Sequence, residues 1–188
     1  MKEFDRKNTE ALQDGEQSRL PNGGYICKIT AAEDVPDKEY IKIEFDIAAG
    51  EFKGYFADLY TRANFWGGRF VRSYKDTAQK FFNGFLTAVE KSNPGYQFDW
   101  NTKSLIGKSI GIVLGEEEYV TNTAEVKVHQ VVTQVRDTEV IRSGNFKVPD
   151  LKPLDARGQA RLAELKAKGI VGTHADGATV VNDEDLPF

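Results

Sequence analysis

Residues 39–48 read EYIKIEFDIA. Ile41, Ile43, Phe45 and Ile47 alternate with Lys42, Glu44 and Asp46, a period of two that an extended strand converts into one apolar and one polar face. Upstream, GYICKITA (24–31) repeats the alternation with Tyr25, Cys27 and Ile29 on one side. LPNGG (20–24) turns the chain into that strand, and AEDVPDK (32–38) forms a loop before the next. Downstream, AGEFKG (49–54) is a turn and YFADLYT (55–61) a third strand.

The segment DTAQKFFNGFLTAVEKSNPG changes period. Ala78, Phe81, Phe82, Phe85, Leu86 and Val89 follow helical spacing. Asp76 or Thr77 can cap the start, and Asn93-Pro94-Gly95 ends it. SIGIVLG (109–115) is then a short buried strand, EEEYVTNTA (116–124) a loop and EVKVHQVVTQV (125–135) a long strand. DTEVIRSG (137–144) adds a helical turn. The order β-β-β-α-β-β predicts a mainly β domain over 20–153, an OB-fold-like five-stranded barrel. An SH3-like barrel and a half-open sheet with a helix packed on it compete with it. Residues 1–19 form a polar, flexible arm. Residues 154–188 form a tail in which ARGQARLAELKAKG (156–169) is near the ~12–15 residues below which an isolated helix is marginal.

The 188 residues are 40% hydrophobic and 29% charged, enough for a folded core. No apolar run approaches a membrane span and the N-terminus has no signal-like apolar stretch, so a cytoplasmic location is expected. One cysteine, Cys27, and two histidines far apart argue against a disulfide or a structural zinc site. The net charge is −4, and residues 169–188 hold four acids and no Lys or Arg. The remaining chain is balanced, with 25 cations against 29 acids less those four. The charge therefore does not exclude a nucleic-acid partner.

Residues 55–85, YFADLYTRANFWGGRFVRSYKDTAQKFFNGF, hold ten of the 21 aromatic residues. They also hold Arg62, Arg69, Arg72, Lys75 and Lys80 against Asp58 and Asp76. Rings interleaved with cations suit single-stranded nucleic acid, whose bases stack while phosphates pair with the cations. Phe81, Phe82 and Phe85 belong to the helix's apolar face and are assigned to the core. The candidate DNA-binding set is Tyr60, Arg62, Phe65, Trp66, Arg69, Phe70, Arg72, Tyr74 and Lys75, joined by Tyr40 and Lys42 from the outward face of strand 2. The acidic stretches 32–38 and 116–124 place binding away from those loop tips.

Enzyme motifs fail on inspection. Gly107-Lys108-Ser109 lacks the glycine a phosphate-binding loop needs, since position 102 is Thr. Asp46, Glu51 and Lys53 fall on either side of a tight turn rather than converging on a metal. No catalysis and no cofactor are expected.

Two resemblances extend this reading. LPNGGYICKI, DKEYIKIEFDIAAGEFKGYF, FFNGFLTAVEKSNPGY, LIGKSIGIVLGEEEY and IRSGNFKVP resemble, in order and spacing over residues 20–153, a bacteriophage family long listed as a domain of unknown function. That likeness implies single-stranded-DNA binding in a bacterial host. DEDLPF (183–188) resembles the C-terminal tip of bacterial single-stranded-DNA-binding proteins. It implies that Asp183, Glu184 and Asp185 supply charge, and Leu186, Pro187 and Phe188 the anchor, for capture of replication and recombination enzymes. A ring and a free carboxylate on a mobile tip suit a small basic-rimmed pocket.

Overall fold

The computed structural model describes residues 20–170; the N-terminal arm 1–19 and the tip Asp183–Phe188 lie outside the described residues. Five strands form one antiparallel sheet: β1 (Gly23–Val35), β2 (Tyr40–Ile47), β3 (Arg69–Ser73), β4 (Ser109–Val120) and β5 (Val126–Arg136). Their order across the sheet is β3-β2-β1-β4-β5. Helices α1 (Tyr55–Ala63), α2 (Gln79–Ser92), α3 (Thr138–Arg142) and α4 (Ala156–Ala167) and three short 3₁₀ turns complete the described elements. The sheet curls until its edge strands β3 and β5 approach each other, but no ladder joins them. The expected closed barrel is therefore an open sheet.

One face of the sheet carries the core. Cys27 and Ile29 of β1, Ile41, Ile43, Phe45 and Ile47 of β2, and Ile110, Ile112 and Leu114 of β4 are buried together. Helix α2 covers them with Phe82, Phe85, Leu86 and Val89, the i, i+3, i+4, i+7 positions of one stripe. Phe81, expected in this core, is 76% exposed, because the stripe is complete without it. Neither Asp76 nor Thr77 caps α2; a short 3₁₀ turn (Asp76–Ala78) precedes it, and Asp76 bonds the Gln79 side chain.

The third strand differs most from expectation. YFADLYT is helix α1, and β3 lies in what reads as a loop, RFVRS. Tyr55, Phe56 and Leu59 are the inward residues, a helical spacing that the strand-favouring aromatics disguise. The decisive group is remote in sequence. Asp46 Oδ1 accepts from the N–H groups of Ile47 (2.8 Å) and Phe56 (3.0 Å), and Oδ2 accepts from Ala57 (3.3 Å). Two of these donors are the otherwise unpaired amides of the first turn of α1. Gly54, at φ +80, makes the reversal that delivers the chain to this cap.

Two other loops are shorter than the composition suggests. β1 continues through AEDV to Val35 because it pairs with β2 as far as Tyr40, with a bulge between Ile29 and Ala31. β4 continues through the three glutamates to Val120, and the connection to β5 is a tight turn at 121–125. Glu116, Glu117 and Glu118 thus belong to a strand instead of a loop.

After β5 the chain crosses the other face. Added methyl groups at Gly24 and Gly111 would meet Phe146 and Ile141, so these glycines let residues 137–149 lie flat on β1 and β4, while one at Gly115 would meet Thr133 of the neighbouring β5. Beyond Leu114, where β1 ends, Lys152 bonds the exposed edge of β4: its N–H donates to Glu116 O (3.0 Å) and its carbonyl accepts from Glu118 N–H (2.9 Å). Its ammonium meets Glu117 Oε2 at 3.0 Å, and His129 Nε2 lies 3.0 Å from Glu117 Oε1. Asp155 caps α4, and Arg161 hydrogen-bonds Asn122 in the β4–β5 turn.

Asp46→Ala should cost about 1–2 kcal/mol in denaturant unfolding, the value of a lost helix cap. Gly84→Ala, on the solvent side of α2 with nothing within 4 Å of the added methyl, should gain about 0.5–1 kcal/mol. Burial pushes the Glu117 carboxyl up, but the bonds from His129 and Lys152 outweigh it and hold it below the ordinary carboxylate range. The clamp is therefore fully present above the ordinary carboxylate pKa and lost as pH falls through the lowered one. Glu117→Gln should lower stability at neutral pH and flatten the acid limb of the stability–pH profile.

Candidate nucleic-acid interface

The candidate residues separate into two groups and a few that are withdrawn from solvent. The first group gathers where α1 ends and β3 begins. Tyr60 is half exposed and meets Trp66 edge-on, with ring centres 6.4 Å apart. Trp66 rests on Phe56 (6.3 Å), and its Nε1 donates to Gly68 O at 3.1 Å, which fixes the indole plane. Arg69 forks onto the Trp66 carbonyl through Nε (3.0 Å) and Nη2 (2.8 Å). Phe65 is half-buried beside Gly67, and Arg62 is exposed on the last turn of α1.

Gly68 explains why this corner is tight. Its carbonyl accepts from Phe45 N–H at 2.8 Å, so the chain continues the β2–β3 ladder one residue before β3. An added methyl would lie 2.2 Å from the Phe45 carbonyl and 2.7 Å from the Phe56 ring. Only glycine permits that approach.

The second group lies at the far end of β3. Tyr74 packs edge-on against Phe82 (5.8 Å), and its hydroxyl donates to Asp34 at 3.0 Å. Burial, followed by that bond, raises the Tyr74 hydroxyl pKa. Lys75 is exposed beside it.

Register decides the rest. Phe70 stands opposite Ile43 and Arg72 opposite Ile41, which places both on the core face. Phe70 is wedged between Phe45 (5.9 Å) and Phe85 (6.0 Å), so it is a packing residue and not a free stacking platform. The Arg72 guanidinium lies 4.7 Å over the Phe70 ring and donates to Val71 O at 3.0 Å. Burial lowers its pKa to about 10, which still leaves it charged at neutral pH. Register keeps Tyr40 on the outer face with Lys42, opposite Ser73, as expected, but it is only 7% exposed, so it offers no ring to a base.

Lys42 is on the outer face, 4.0 Å from Glu33. With Arg69, Val71, Ser73 and Glu44 it forms the outer surface of β2 and β3, which residues 137–149 leave uncovered. The charges there are mixed. The surface is not a continuous basic track.

Two exposed rings fall outside the candidate set: Phe81, and Trp100 at 82%. Trp100 lies in QFDWNTK, where no hydrophobic period gives it inward neighbours, and that isolation is its sequence signal. Among the described residues no group of His, Cys, Asp and Glu could hold a metal ion, and no helix is long and apolar enough to cross a membrane. No family model and no curated protein matches the chain.

Cys27 is fully buried and its thiol is pushed far up, chiefly by burial. It should stay unreactive toward an aromatic disulfide reagent in the native protein. One thiol per chain should appear in denaturant.

Proposed function

We propose that this chain is a single-stranded-DNA-binding protein of bacteriophage type. It acts without catalysis or cofactor in the cytoplasm of a bacterial host. The observation that carries this reading is the Tyr60–Trp66 pair, an indole fixed by its bond to Gly68, with an exposed tyrosine at its edge, Arg69 on the Trp66 backbone carbonyl and Arg62 on the last turn of α1. A rigid aromatic step next to guanidinium groups is what an unpaired base and its phosphate require.

The fold supports the same reading as an OB-like arrangement. Strand order 3-2-1-4-5, a helix between strands 3 and 4, and converging edge strands match a partly open Greek-key barrel, whose outer strand 2–3 face binds oligonucleotides. In this reading the strand enters over Tyr60 and Trp66, crosses Arg69 and Lys42, and leaves toward Tyr74 and Lys75. The mixed charges on that face favour modest affinity dominated by stacking. The tip Asp183–Phe188 recruits host or phage replication and recombination enzymes.

Titration with labelled oligo(dT) at low salt tests this directly. Binding is expected, with log affinity falling by about 0.7 per phosphate neutralised for each unit of log salt. Trp66→Ala should weaken it by about 1–3 kcal/mol. Deleting 183–188 should leave DNA affinity intact or higher while abolishing capture of replication enzymes. Absence of oligonucleotide binding at low salt overturns the proposal.

A further inference from the structure

We infer that Trp100 is a second base-stacking station, on the α2–β4 connection, for the same single strand. This rests on the single-strand reading above and extends its site to a part of the chain not yet used.

Trp100 is the most exposed large hydrophobic side chain among those described, at 82%. Its φ is +62, a conformation that bulky residues rarely adopt. The connection around it is nonetheless braced throughout. Phe98 N–H donates to Glu90 Oε1 (3.0 Å), and the Tyr96 and Ser104 hydroxyls bond at 2.8 Å. The Asp99 carboxylate accepts from Ser104 Oγ (2.9 Å) and Asn101 N–H (3.1 Å), which hold it below the ordinary carboxylate range. Phe98 steadies the indole from one side, ring centres 5.8 Å apart. A large ring is thus held out into water by an ordered loop at a conformational cost, which is the arrangement of a contact residue.

The surroundings specify the ligand. Lys108 Nζ sits 4.3 Å over the Tyr96 ring, and both line a shallow cleft of about 470 Å³ with Ser92, Asn93 and Pro94. Lys103 is exposed on the turn that follows Trp100. The neighbouring acid, Asp99, accepts these internal hydrogen bonds and remains a negative charge beside the indole, against Lys103 and Lys108. A π-face beside lysines and a polar cleft suits a nucleotide better than an apolar protein surface.

The sheet connects this station to the first. Lys108 O accepts from Ile29 N–H (2.9 Å), Ile29 stands opposite Phe45, and Phe45 N–H donates to Gly68 O (2.8 Å). Three strand spacings, about 14 Å along the sheet, therefore separate Lys108 from Gly68, on which Trp66 is anchored. Lys28, exposed on the neighbouring row, lies between them. That span fits within the ~4–16 nucleotides that one such domain occupies.

The chain contains two tryptophans, so each station can be read alone. In Trp66→Phe the remaining emission comes from Trp100, and oligo(dT) of twenty nucleotides should quench it. Trp100→Gly suits the positive φ better and should unfold at the same or a higher temperature. It should nevertheless bind the 20-mer about tenfold more weakly. Unchanged Trp100 emission while anisotropy of the labelled 20-mer shows binding overturns the inference and leaves the single-strand reading standing. So does a Trp100→Gly protein with wild-type affinity, or one in which only self-association is lost. No binding of the 20-mer by the wild-type chain overturns both.

Discussion

The carboxylate of Asp46 directs the middle of this fold. It projects from the polar face of β2 and collects one amide from its own strand and two from the first turn of α1. Those bonds convert an aromatic-rich stretch into a helix and place Phe56 against Phe45, ring centres 5.4 Å apart. With α1 seated there, Gly68 can return over the Phe45 carbonyl and start the β2–β3 ladder. β3, and with it Arg69, Phe70 and Arg72, occupies its register because of that return. A charged group on a strand thereby determines where the next strand begins.

The sheet's second face shows a division of labour. Glycines at 24 and 111 admit residues 137–149 onto β1 and β4, and Lys152 closes the protruding edge of β4. The Glu117–His129–Lys152 cluster holds that edge at the root of the C-terminal tail. The β2–β3 side has no such cover. Exposed aromatic rings and cations are consequently found at its margins, around Trp66 and around Tyr74, while its centre alternates acids and bases.

Much of the fold was legible from period alone. Strand β2, the buried faces of β1 and β4, the α2 stripe and the turn at α3 follow their apolar spacing. What misled was composition. Tyr55, Phe56 and Tyr60 favour strands intrinsically, yet their helix is set by a carboxylate ten residues earlier in the chain. The glutamates 116–118 read as a solvated loop because their partners His129 and Lys152 are 12 and 35 residues distant. Phe81 fits a helical period but lies just outside the stripe that α2 needs. At the candidate site, residue type located the right segment, but it could not separate Phe70, committed to the core, from Trp66, set at its margin.

By itself the sequence determined strand β2, the buried faces of β1 and β4, the helix α2, the neutral body and the acidic C-terminal segment. These follow from local period and charge, which need no knowledge of distant contacts. Only the tertiary structure decided which stretch becomes β3, that the sheet stays open, that Tyr40 and Phe70 are withdrawn from solvent, and that Trp100 stands out in it. Each of these depends on a register or a cap formed between residues far apart in the chain, and such pairings leave no periodic mark on either partner.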